Sequence, residues 1–247
     1  MLRDRIVASA GVLAILFSVA GCVKPKQTDA KDELESFAAK TGGKWIEKIG
    51  SLQGSNPAIL NQLELLTGGA SSKIRMLIIS QARVEVAPRL DFLSSLKYLQ
   101  LSFNSLIDVS NLAGLQVAYL DLSNNPDLKE IQALRTCTEM EELFLNSTDV
   151  EQLPNFSSLN KLRKISVNST PLRSLSNIET IPTDFDLSIM RCNRLADISA
   201  LLLARVNTLY IDEKNYERLK PWFDAHTAEI RAKRQKFKLQ FQVISGE

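Results

Sequence analysis

The side chains that could do covalent or acid–base chemistry are few. The chain has one histidine, His226, close to Asp224, and three cysteines, Cys22, Cys137 and Cys192. Catalysis by proton transfer or nucleophilic attack needs a base poised beside its partner, usually His or a paired constellation. His226 falls in a stretch with helical spacing and reads as a surface residue. No metal-ligand spacing, glycine-rich phosphate loop or nucleophile elbow occurs. No catalytic residue, bound metal or cofactor is therefore expected, and the chain does not read as an enzyme.

The remaining reactive position is Cys22, and its surroundings give it a role. Arg3 and Arg5 form a positive start, Ile6 to Phe17 an apolar run too short to span a bilayer comfortably, and Ser18, Val19, Ala20 and Gly21 supply small residues before the cysteine. That order reads as a signal peptide over residues 1–21. Val19-Ala20-Gly21-Cys22 resembles the lipobox of bacterial lipoproteins. The resemblance implies diacylglycerol on the Cys22 sulfur and cleavage just before it, so that Cys22 becomes the first residue. Each buried acyl methylene contributes about 0.8 kcal/mol, and more than one chain gives stable anchoring without a spanning helix. Val23 stands where enterobacterial lipoproteins retained in the inner membrane carry aspartate, so in a Gram-negative host the outer membrane is the expected address within the cell envelope.

Residues 22–31 are polar, contain Pro25 and have no apolar period, as a flexible tether requires. About nine such residues reach at most about 30 Å, which keeps the folded body near the membrane. Charge gives the body no bias toward polyanions: the precursor carries +2. Loss of Arg3, Asp4 and Arg5 leaves about +1, so nucleic acid is not an expected partner.

Self-similarity organises the rest. Leu96, Leu99, Leu101, Asn104 and Leu106 follow the pattern L-x-x-L-x-L-x-x-N-x-L, and Val117, Leu120, Leu122 and Asn125 repeat it, with Leu128 displaced by Pro126 and Asp127. Weaker copies run through Leu77, Leu143, Leu162-Ile165-Val167, Phe185-Ser188-Met190-Asn193-Leu195 and Leu209. With the second pattern position as marker, the copies fall at 77, 99, 120, 143, 165, 188 and 209, advancing by 21 to 23 residues. One copy is a short strand and a return segment that cannot bury its own apolar face, so the copies must stack. The expected fold is an α/β solenoid: a curved parallel sheet of about seven leucine-rich repeats over residues 70–212. Asn104, Asn125 and Asn193 are expected to bond backbone where the chain leaves each strand. Cys137 and Cys192 fall too far apart on this period for a disulfide and are expected to be buried free thiols.

The return segments Leu106 to Leu115 and Leu195 to Leu201 resemble the 22-residue repeats of internalins and related bacterial leucine-rich-repeat proteins. The resemblance spans about residues 70–212. It implies short return segments, often 3₁₀ turns, and a concave strand face that binds a protein.

Solenoid ends need covers. Residues 32–69 are expected to form a helical N-terminal cap, with helical spacing in Asp32 to Lys40 and Pro57 to Thr67, Asn56 as an N-cap, and Gly68-Gly69 as a stop. Residues 213–247 are expected to form the C-terminal cap, a helix over Tyr216 to Lys233 and an edge strand over Phe237 to Val243.

Strand alternation then names the outward residues. Positions one before, one after and three after each marker include Ile78, Tyr98, Tyr119, Phe144, Ile189 and Tyr210, interleaved with Gln100, Asp121, Glu142, Lys164, Ser166, Arg191 and Asp212. Aromatic residues with a polar handle are enriched at protein interfaces, and a contiguous apolar stripe marks a partner site unless loops or caps cover it. The candidate concave site is Tyr98, Gln100, Tyr119, Asp121, Glu142, Phe144, Lys164, Arg191 and Tyr210. A monomer that binds an unidentified protein is expected. The alternatives are a structural envelope lipoprotein with no specific ligand, using the basic run Arg231, Lys233, Arg234, Lys236 and Lys238, and a toxin-neutralising, immunity-type lipoprotein.

Overall fold

The structure, a computed structural model, describes residues 29–233 and 237–241. The expected signal peptide, Cys22 and most of the tether lie outside the described residues, as do Arg234 and Lys236.

Helix α1, Ala30–Thr41, starts inside the stretch assigned to the tether. Its first turn carries Asp32 and Glu33, the Asp29 side chain accepts from the Lys31 N–H, and Gly42 ends it at φ 70°. Leu34, Phe37, Ala38 and Thr41 share one buried face. A hairpin follows that the helical expectation for this region did not include: β1, Lys44–Ile46, and β2, Ser51–Gly54, pair antiparallel. Two short helices complete the cap, α2, Ala58–Gln62, and α3, Gly68–Ser71. Gly68 and Gly69 thus open a helix that they were expected to close, because the Thr67 hydroxyl caps it by accepting from the Ala70 N–H. Thr67 is tied back to α1, its N–H and hydroxyl donating to the Glu33 carboxylate at 2.7 and 2.6 Å.

Seven strands then recur at the predicted interval: β3, Met76–Ile79; β4, Tyr98–Gln100; β5, Tyr119–Asp121; β6, Glu142–Phe144; β7, Lys164–Ser166; β8, Phe185–Ser188; and β9, Val206–Ile211. Helix α4, Glu213–Lys233, and strand β10, Lys238–Phe241, close the far end. The ten strands form one sheet in chain order, parallel everywhere except between β1 and β2. The chain is a leucine-rich-repeat solenoid with a helix near its N-terminus and a helix and strand at its C-terminal end. 3₁₀ turns sit in several return segments, among them Ser110–Leu112, Gln132–Thr136 and Ser199–Leu202.

Register fixes which side chains enter the core. Leu77, Leu99, Leu120, Leu143, Ile165, Leu187 and Leu209 stand side by side across β3 to β9, each with no exposed surface. The sixth marker is therefore Leu187 and not Ser188. A one-residue slip exchanges the two faces of a strand. Ile189, expected outward, is fully buried, and Ser188 and Met190 take the outward positions. The fifth position after the marker becomes Cys192, which is buried, while Asn193 is exposed and holds no place in the strand-exit row.

That row runs Asn104, Asn125, Thr148, Thr170 and Cys192. Asn104 donates to the carbonyls of Ile79 and Leu101, and Asn125 donates to those of Leu101 and Leu122. These bonds satisfy buried backbone where the strands end. The residue just before each of these positions, from Gln81 through Phe103, Asn124, Ser147 and Ser169 to Arg191, lies at φ between 55° and 58°. The chain turns off each of β3 to β8 through the left-handed region, yet glycine occupies none of these sites. Cys137 and Cys192 are both free and buried.

Candidate functional site

Three rows of outward side chains cross the open face of the sheet. The row before the marker holds Tyr98, Tyr119, Glu142, Lys164 and Asp186; the row after it holds Gln100, Asp121, Phe144, Ser166, Ser188 and Tyr210. The third row, two residues further on, holds Ser102, Ser123, Asn146, Asn168 and Met190. Parallel pairing about 4.8 Å apart puts equal positions next to one another, so residue type along a row decides what they build.

Four residues on consecutive strands meet. The Tyr98 and Tyr119 rings are stacked, with centroids 4.0 Å apart and planes 7° from parallel. Phe144 lies 5.0 Å from Tyr119 at a tilt of 36°, and the Lys164 ammonium sits 5.1 Å from the centre of the Phe144 ring. Such ring pairs contribute about 0.5–1.5 kcal/mol beyond their buried area, and a cation over a ring adds about 0.5–1 kcal/mol where exposed. Burial, with Tyr98 alongside as second cause, raises the Tyr119 phenol well above its ordinary value. Tyr119 therefore stays neutral at physiological pH.

The other candidates are held by neighbours. Gln100 accepts from the Tyr98 hydroxyl at 3.2 Å and donates to Ser102 at 2.8 Å. Asp121 accepts from the Ser123 N–H at 2.9 Å. Glu142 pairs with Arg163 at 2.7 Å, from outside the row. Along β3 to β9 and the residue after it, the face carries Asp121, Glu142, Asp186 and Asp212 against Lys164. Asp212 is occupied with structure: it accepts from the Arg191 N–H and from both the backbone and the side chain of Asn215, at the start of α4.

Two candidates fall away from the cluster. Arg191 lies on the turn after β8, four residues past Leu187, and not on the open face. The marker slip is the cause. Tyr210 is on the face but three strands beyond Phe144, about 14 Å away at the usual spacing. The sequence reading missed Asn146 and Asn168, which lace the third row together: Ser166 donates to Asn146, Asn168 donates to Ser166, and Ser188 donates to Asn168, at 2.6 to 3.1 Å. Their signal was their place three residues after Leu143 and Ile165. Among the described residues, no group of His, Cys, Asp and Glu could hold a metal ion, and no helix is long and apolar enough to cross a membrane.

No protein-family model matches this chain, and no curated protein matches it in sequence. Solved structures do match it in shape. An internalin C2 from Listeria monocytogenes superposes with a TM-score of 0.57 over 77% of this chain and 87% of its own, at 18% identity. The functional domain of InlJ from the same organism, described as including a cysteine ladder, superposes with a TM-score of 0.50 over 73% of this chain and 38% of its own, at 14% identity. At such identities the likeness is one of fold, that of a leucine-rich-repeat solenoid.

Proposed function

We propose that the chain is a protein-binding leucine-rich-repeat module, which engages a protein partner through the open, concave face of its sheet and is held at a membrane by lipid on Cys22. The observation that carries the binding reading is the contiguous cluster of Tyr98, Tyr119, Phe144 and Lys164 on neighbouring strands. Rigid aromatic rings with few rotatable bonds lose little entropy on docking, and interfaces concentrate their energy in such residues. The cluster is partly solvent-exposed, and its side chains are held in place by one another and by Gln100. Solenoid sheets present a broad surface of this kind to macromolecules. The anchoring reading rests on the sequence before Cys22.

A photoreactive residue at position 119 in intact envelopes, beside a control at exposed Gln132 on a return segment, tests the binding reading. One dominant protein adduct at 119 alone is expected. Equal or absent labelling at the two positions overturns the concave-face reading in favour of a structural envelope protein. With the partner in hand, Tyr119→Ala with Phe144→Ala is expected to weaken binding by about 2 kcal/mol or more, with Tm lowered by only a few degrees. For the anchor, Cys22→Ser is expected to move the protein from the membrane fraction to the soluble fraction; unchanged fractionation overturns it.

A further inference from the structure

The strand-exit row changes character along the solenoid, and a groove lies where it does. In the early repeats the asparagine also serves the repeat before it: Asn104 Oδ1 accepts from the Ala82 and Val84 N–H groups at 2.9 and 3.3 Å, and Asn125 Oδ1 accepts from the Leu106 N–H at 3.0 Å. Thr170 holds the same position relative to Thr148 and Val150. Its hydroxyl is shorter and donates inward, to the Val167 carbonyl at 2.8 Å. Among the described residues, no group accepts from the Thr148 or the Val150 N–H. Thr148 is buried, so its N–H is a donor withheld from bulk water.

Thr148 and Thr170 line a groove of about 550 Å³ beyond the strand ends, together with Ser147, Ser169, Arg191 and Arg194. Two arginines therefore line the same space. Arg191 makes no ion pair with any described residue, and Arg194 has only Glu151, at 3.9 Å. The single carboxylate in the wall, Asp149, is paired with Lys129 at 3.2 Å. The groove thus offers cations, hydroxyls and an unaccepted backbone donor, and its own acceptor charge is already neutralised.

We propose that this groove is an oxyanion-binding site, taking a phosphate or carboxylate group. Planar guanidinium groups and buried N–H donors are the chemistry that recognises such oxygens. The site lies on the loop edge of the sheet and does not depend on the open-face reading.

Amide NMR of the folded protein, titrated with inorganic phosphate and separately with acetate at constant ionic strength with chloride, tests the proposal. Saturable shifts at Thr148, Val150, Arg191 and Arg194 are expected. Shifts with phosphate alone assign a phosphate site, and shifts with acetate as well assign one that also admits a carboxylate from a small ligand or an acidic side chain. Arg191→Gln with Arg194→Gln is expected to weaken the response about tenfold or more. Thr170→Asn, which returns an acceptor to the Thr148 and Val150 N–H groups, is expected to raise Tm and abolish the response. No saturable shift with either anion overturns the proposal, as does a response undiminished in the arginine variant.

Discussion

Burial pushes the Cys137 thiol up to about 11 and raises Cys192 as well, because a thiolate loses its hydration inside the repeat stack. Their thiols donate to the Leu112 and Val167 carbonyls, at 3.2 and 3.1 Å. Both residues are protonated, hydrogen-bonded and out of reach of solvent. Alkylation by a maleimide near pH 8 is therefore expected to spare both in the folded protein and modify both in urea, as mass spectrometry would read it; rapid labelling without denaturant would show that the repeats around them open. At the same scale, residue type explains the strand-exit row. Asn, Thr and Cys each put a donor toward backbone carbonyls, but only Asn adds an acceptor for the repeat before it.

The junction between β9 and α4 turns on one carboxylate. Burial would raise Asp212, but the donors of Arg191 and Asn215 outweigh it and hold the group below its ordinary 3.8. A carboxylate depressed in the folded state stabilises the fold above that ordinary value, and the contribution is lost as pH falls through the folded value. Asp212→Asn is expected to lower Tm at neutral pH, with the gap from the parent protein narrowing as pH drops below 3.8. A gap independent of pH would mean that packing, not the charge, holds the junction. Strand register is the other matter of element scale. Six of the seven predicted markers keep their places and the one at 188 does not: Asn193 and Leu195 match the end of the repeat pattern and pull the marker to Ser188, whereas Phe185, Leu187 and Ile189 alternate with Asp186 and Ser188. The match to the repeat pattern and the alternation within the strand therefore point to different phases. Pairing with Ile165 and Leu209 on either side makes the choice.

Across the whole molecule, one continuous core runs from Leu34 in α1 to Phe237 before β10. Each repeat is stabilised by its neighbours, so the last one depends on its cover. Leu219, Phe223 and Ile230 of α4 are buried in that cover, and β10 pairs along β9. Ending the chain after Asp212 would uncover the final repeat, and the product is expected to bind a hydrophobic dye and self-associate, whereas the full chain unfolds in a single transition. A monomeric, dye-silent truncation would show that the repeats are stable without that cover.

The repeat period, the inward leucines, the C-terminal helix and the outward Tyr98, Tyr119 and Phe144 were legible in the sequence because each depends on local alternation repeated at a fixed interval. Other features were settled only by tertiary structure. The hairpin β1–β2 forms because the sheet edge at β3 needs a partner, which no local pattern in Lys44 to Gly54 announces. The places of Ile189, Arg191 and Cys192 depended on strand pairing. The meeting of Thr148, Thr170, Arg191 and Arg194 around one groove came from stacking, which brings residues some twenty positions apart side by side. Periodicity within a chain reports which way a side chain faces, but only the packed neighbours decide what it meets.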